Sequence, residues 1–337
     1  MNIIGCPHNR IQEKETGKRH AKVLRQAFFV LCLTLLLLAL TGCGGSSSEA
    51  ASPADGGQKA ASDAGGSGGG YKAPEVKSAK FHGDTATSGG SATIDTSETS
   101  NGYVAVSANS SSRLKFQVIK GEDTYNYDIA SDGTPSVFPL QCGDGTYQLK
   151  IMENITDSKY AEMYTESVDV ELKDEFQPFL RPSDYVNYSK DSDCVKKAAS
   201  IASKAGSAME VVSGVYDYVC GGVTYDREKA QTVQSGYLPK PDETMKTGKG
   251  ICFDYASLAA AMLRSQGIPC KVIFGYVAPD NVYHAWNMFY TKETGWVTVD
   301  YKVDKDKWNR LDLTFAANGA DGDFIGDGSH YSDVYMY

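Results

Sequence analysis

Apolar positions along this chain change their spacing at well-marked points, and each spacing predicts a different element. Ala27 to Leu40 is an apolar run of 14 residues. From Cys43 through Gly70 large apolar residues all but vanish into a Gly/Ser/Ala tract. Period-two segments follow: Tyr103-Val-Ala-Val, Leu114-Lys-Phe-Gln-Val-Ile, Tyr125-Asn-Tyr-Asp-Ile, Tyr147-Gln-Leu-Lys-Ile and Val168-Asp-Val-Glu-Leu. The turn sequences Ser131-Asp-Gly and Cys142-Gly-Asp-Gly fall between them, so residues 75–175 predict an all-β, immunoglobulin-like antiparallel sandwich. Asp144-Gly-Thr-Tyr147 has the look of a tyrosine corner. Gln177-Pro-Phe-Leu-Arg-Pro-Ser then marks a boundary loop.

Beyond that loop the period lengthens. Asp193 to Val219 predicts one or two helices, with Ala198, Ile201 and Ala202, then Val211, Val212, Val215 and Val219, on their apolar faces. Arg227 to Lys249 is polar and without period, and reads as a long loop forming one wall of a cleft or a plain surface excursion. Phe253, Ala256, Ala260 and Leu263 recur at helical spacing, and Gly267 stands where a left-handed C-terminal cap belongs. Ile268 to Val277 predicts a strand, Pro279-Asp-Asn a turn, and Tyr283 to Tyr290 a second strand.

Two side chains on these elements suggest chemistry. Cys252 falls in the first turn of the Phe253–Leu263 helix, where unpaired N–H groups and the helix dipole favour a thiolate. His284 lies inside the second strand, 32 residues downstream. A cysteine on a helix and a histidine on a neighbouring strand can activate a thiol for attack on a carbonyl. A carboxylate to orient the imidazole has two candidates. Asp300 ends Trp296-Val-Thr-Val-Asp, on a strand that a simple meander lays beside His284. Asp312 ends Trp308-Asn-Arg-Leu-Asp and runs on into Leu313-Thr314-Phe315.

Taken in order, Val215-Tyr-Asp-Tyr-Val, Val223-Thr-Tyr-Asp, Gly250-Ile-Cys-Phe-Asp-Tyr-Ala, Leu263-Arg-Ser-Gln-Gly-Ile-Pro, Gly275-Tyr-Val, His284-Ala-Trp-Asn and Asp312-Leu-Thr-Phe resemble the core of the transglutaminase-like superfamily over roughly residues 195–316. The resemblance implies an α+β transglutaminase-like domain, a papain-like cysteine-enzyme core, carrying a Cys-His-Asp site. The Cys-to-His interval is far shorter than the roughly 130–150 residues of papain itself. Trp308 to Thr314 matches the family's Trp-x-x-x-Asp-Pro-Thr with Leu313 in place of Pro, which puts Asp312 ahead of Asp300 as the implied third member. The implied activity is acyl transfer or hydrolysis at amide bonds of a protein or peptide. An inert surface binding protein and a cell-wall peptide hydrolase are the alternative functions, since such a superfamily fixes mechanism better than substrate.

The N-terminus supplies an address. Lys14, Lys18, Arg19, Lys22 and Arg25 precede the apolar run, which is short of the about 20 residues a membrane span needs. It ends Leu40-Thr-Gly-Cys43, resembling a bacterial lipobox, so Cys43 is expected to become the lipidated first residue. The expected organisation is a lipoprotein signal peptide at 1–42, a flexible tether at 43–74, the sandwich at 75–175 and the transglutaminase-like domain at 176–337. The expected location is the extracytoplasmic face of a bacterial cell membrane.

Six of the 33 basic and two of the 42 acidic residues lie in 1–42, which leaves 27 against 40 and a net charge of −13. No basic cluster remains to contact phosphates, so nucleic acid is excluded as a partner. Cys142, Cys194, Cys220 and Cys270 read as buried thiols, with a Cys194–Cys220 disulfide the alternative that export permits. No cofactor motif or metal-ligand cluster is evident. Asp321-Gly-Asp-Phe-Ile-Gly-Asp-Gly starts like a calcium loop but has Ile325 at its fifth position and Ser332 at its twelfth.

Overall fold

A computed structural model describes residues 70–278, 280–291, 295–297, 312–318 and 330–337. Residues 1–69, among them Cys43 and most of the expected tether, and Asp300, Trp308 and the Asp321–Gly328 segment lie outside the described residues.

The period-two segments form two four-stranded antiparallel sheets. One has the order β1 (Thr87–Gly89), β2 (Ala92–Asp95), β3 (Tyr103–Ala108), β6 (Ser136–Pro139). The other runs β5 (Asp123–Ile129), β4 (Leu114–Lys120), β7 (Gly145–Thr156), β8 (Lys159–Val170). Alternation sends Ile94, Val104 and Val106 from one sheet and Phe116, Val118, Leu149 and Ile151 from the other into a common core. Phe116 and Phe138 meet across it with ring centroids 4.9 Å apart. The Tyr147 hydroxyl donates to the Gly143 carbonyl at 2.7 Å, the bond a tyrosine corner makes to upstream backbone.

The second half is built around α5 (Cys252–Ser265), which packs against α1 (Asp193–Ala202), α2 (Ala208–Gly222), α4 (Pro241–Thr247) and a sheet. That sheet has the order β13 (Gly295–Val297), β12 (Val282–Thr291), β11 (Cys270–Val277), β14 (Tyr331–Met336). Every residue of α5 after Cys252 is buried. Ala256, Ala259, Ala260 and Ala261 let neighbours approach closely, while Leu258, Met262 and Leu263 each contribute about 1.5–3 kcal/mol by leaving water. The stretch from Arg227 to Lys249, expected to be a loop, instead holds α3 (Arg227–Thr232) and α4. Both are shorter than two full turns, too brief for an apolar period to show. Asp226 caps α3 by accepting from Lys229 N, and Pro241 opens α4.

The two halves share one hydrophobic core. Tyr127 of β5 lies 5.5 Å from Tyr185 and 5.6 Å from Tyr337, ring to ring, and Tyr185 continues to Phe253 at 5.2 Å. Arg264 is buried without a carboxylate among its described partners. Its guanidinium donates to the carbonyls of Cys270, Arg181 and Tyr337, tying the end of α5 to the start of β11 and to the residue after β14.

Strand β14 docks where β11 has no side chain. A Cβ on Gly275 would fall 2.1 Å from the Ser332 carbonyl oxygen and 2.7 Å from the Trp286 ring. The register shifts there, between Phe274 and Gly275, so the strand bends around the tryptophan. Gly275→Ala is therefore expected to destabilise the protein by about 1–3 kcal/mol, as overpacking does. Its strongest local effect should be faster amide exchange across Tyr331–Met336, measured by hydrogen–deuterium exchange. Unchanged protection in β14 would show that the strand does not depend on the bare position.

Candidate active site

The turn entering α5 is locked from both ends. Gly248 has φ +61°, and a short parallel pair, β9 (Thr224–Tyr225) with β10 (Lys249–Gly250), sets Gly250 opposite Tyr225. Gly250 is bare for a steric reason, since a Cβ would lie 2.6 Å from that of Asp254. Asp254, fully buried at the third helical position, accepts from Ile251 N at 2.8 Å. Its carboxylate is also held by Lys229 Nζ at 2.8 Å and by the Tyr237 hydroxyl. The polar 227–249 segment is thus hydrogen-bonded onto the first turn of α5, immediately beside Cys252. Cys252 itself is the first helical residue and remains half-exposed.

His284 stands on β12 opposite Gly275, almost wholly buried. Its Nε2 lies 2.7 Å from Asp312 Oδ2, and the Cys252 side chain lies beside its ring. Asp312 is the N-cap of α6 (Leu313–Ala317), where Oδ1 accepts from Phe315 N at 2.9 Å. Oδ2 accepts a further bond from the Tyr331 hydroxyl at 3.0 Å. The Phe315 ring packs against the imidazole at 4.6 Å, and Trp286 stacks with it at 6.2 Å. A buried carboxylate so placed is satisfied on both oxygens.

Burial alone would lower the His284 pKa. The charge and hydrogen bond of Asp312, followed by those of Cys252, outweigh it and push the imidazole up to about 10. The ring is therefore an imidazolium at neutral pH, placed between a sulfur and a carboxylate. Tyr225 completes the surround: burial first, and then the adjacent Cys252, push its phenol up to about 12.

Of the residues singled out in the sequence, Cys252, His284 and Asp312 come together, while Asp300 and Cys43 lie outside the described residues. Lys229, Tyr237, Asp254, Phe315 and Tyr331 were missed. Only Asp254 carried a readable signal, an acidic residue at the third position of a predicted helix. The described cysteines are all free in this structure, including Cys194 and Cys220, the pair of the alternative disulfide. Asp242 accepts from Cys194 N at 2.9 Å, and Cys220 points at the Leu313 carbonyl at 3.7 Å.

The family model of the Transglutaminase-like superfamily matches residues 195–301. The UPF0252 protein of Methanocaldococcus jannaschii is 31% identical over 77 residues, 21% of this chain and 22% of that protein. The kyphoscoliosis peptidase of Mus musculus is 30% identical over 112 residues, 30% of this chain and 17% of the peptidase. The matched part thus spans roughly a fifth of the length of these relatives. A solved structure from Cytophaga hutchinsonii, provisionally described as a cysteine protease, covers 68% of this chain and 80% of its own, at 18% identity and a TM-score of 0.35.

The raised His284 pKa makes a stability prediction. A histidine held above its unfolded value of about 6.5 contributes stability that is complete below that pH and lost as pH rises towards about 10. Urea unfolding followed across that window should show this alkaline loss in the wild type. In Asp312→Asn, which removes the charge that raises His284, the slope should flatten. An equal slope in both proteins would mean that the pair is not what raises the histidine.

Proposed function

With residues 195–301 forming a transglutaminase-like domain, we propose that the chain is a cysteine enzyme cleaving or transferring acyl groups at amide bonds of a protein or peptide. The observation that carries this reading is one histidine set beside a helix-terminal cysteine and bonded to a buried aspartate. That arrangement serves acyl transfer through a thioester.

The Cys252 sulfur attacks the substrate carbonyl as a thiolate, forming the C–S bond. The tetrahedral oxyanion takes a hydrogen bond from the Cys252 backbone N–H, which is free of an intrahelical partner at the first position of α5. Collapse breaks the C–N bond, and His284 gives its proton to the leaving amine. Water or a second amine then attacks the thioester. His284 takes the attacking group's proton, and the C–S bond breaks to return the thiolate. Asp312 holds the imidazole in the right tautomer throughout and stabilises its positive charge. The name of the mouse relative favours a peptide substrate with water as acceptor.

Cys252→Ala should abolish labelling by an electrophilic peptide-amide probe without unfolding the protein, since alanine suits a first helical turn. Persistent labelling in that variant would remove Cys252 as nucleophile. Removing the orienting carboxylate in a serine-protease triad costs about four orders of magnitude in turnover. Asp312→Asn should lose activity on that scale, and Asp300→Asn only a small factor. The reverse ranking in purified, folded proteins would make Asp300 the orienter.

The proposed setting is the outer face of a bacterial cell membrane, with the chain held by lipid on Cys43. The support is the basic flank, the apolar run and Thr41-Gly42 before Cys43. Cys43→Ser should leave the protein unprocessed or released from membranes. Membrane retention equal to wild type after high-salt and carbonate washes would rule the lipid anchor out.

A further inference from the structure

The C-terminal strand reaches the site from a direction that the Cys-His-Asp reading does not use. Tyr331 begins β14, whose other end runs into the aromatic cluster shared with the β-sandwich. Its hydroxyl lies 3.0 Å from Asp312 Oδ2, the same oxygen that holds His284 Nε2. Its ring packs edge-on against Trp286 at 5.1 Å, over the strand left bare by Gly275. Ring packing alone would be served by phenylalanine. The hydroxyl is aimed at a carboxylate with no exposed side-chain surface.

We propose that Tyr331 is a positioning residue of this site, holding the Asp312 carboxylate against His284 and taking up part of its charge; the inference rests on the acyl-transfer reading above. A neutral donor on Oδ2 competes with the imidazole for the same oxygen. With the hydroxyl present, the carboxylate grips the imidazolium less tightly, and His284 releases its proton to a leaving amine more readily. Without it, the imidazolium is held more firmly and becomes a poorer acid.

Among the described residues, the other groups facing the pair leave this role to Tyr331. His284 meets Cys252 from α5 and Asp312 from the start of α6, and Phe315 and Trp286 around the ring are uncharged. Near Asp312, α2 contributes Cys220, whose thiol burial raises to about 12, so it stays neutral. Tyr225 lies by Cys252 and likewise stays neutral at ordinary pH.

Tyr331→Phe in the full chain tests this, since it keeps the ring against Trp286 and removes only the hydroxyl. The His284 resonance, identified by its loss in His284→Gln, is followed by NMR in histidine-labelled protein across the neutral and alkaline range. Its titration should move up by about half to one pH unit, the effect of one neutral hydrogen bond. Turnover should fall about three- to ten-fold with KM unchanged. A fluorinated tyrosine placed at 331, a stronger donor, should move the titration the opposite way. In Asp312→Asn the same Tyr331→Phe change should add nothing further.

An unshifted His284 titration in folded Tyr331→Phe overturns the proposal, as does an undiminished additional loss in the Asp312→Asn background. If Cys252→Ala instead retains full turnover, the acyl-transfer reading fails. The NMR titration still decides, separately, whether Tyr331 acts on His284 through Asp312.

Discussion

A helix buried on every side sets the terms for the rest of this molecule. Helix α5 has no solvent face, so each polar group on it needs a partner inside the protein. Asp254 draws in Lys229 and Tyr237. Ser257 donates to the Tyr185 carbonyl, and Arg264 gathers the carbonyls of Cys270, Arg181 and Tyr337. Those obligations fix the 227–249 segment, the boundary loop and the last strand relative to one helix. Cys252, at the only end of that helix open to solvent, inherits a rigid seat without being buried.

The same logic holds across the sheet. His284 and Asp312 lie on segments with no sequence proximity, and a charged pair out of water survives only if its remaining hydrogen-bonding capacity is met. The α6 N-terminus and the Tyr331 hydroxyl meet it on the aspartate, and Cys252 lies beside the histidine. The site is therefore tied to four elements whose mutual placement comes from the core.

Much of this was legible in the sequence where a period had room to repeat. Phe253, Ala256, Ala260 and Leu263 disclosed α5, and Gly267 takes the left-handed conformation its capping position suggested, with φ +79°. The strands around His284 were equally plain. Short elements were not, because α3 and α4 are too brief and too polar to show a face. Strand β14 went unread, since Tyr331-Ser-Asp-Val-Tyr-Met mixes exposed and half-buried positions at a sheet edge. Choosing a carboxylate from the sequence set strand adjacency against motif context. Nothing local tells which aspartate a bend of the chain brings to an imidazole, and a phenol aimed at that aspartate from the C-terminal strand leaves no mark in sequence at all.

The family-model match ends at residue 301, whereas the aspartate on His284 and the strand beside it come later. Upstream, Tyr127 and Tyr185 cover the rings of Phe253 and Tyr337. A fragment trimmed to the recognisable segment would thus carry the sulfur and the imidazole, but neither the anion between them and the core nor the tyrosines that roof the helix. In this protein the stretch that the family model covers and the stretch that builds the imidazole's surroundings are different lengths of chain.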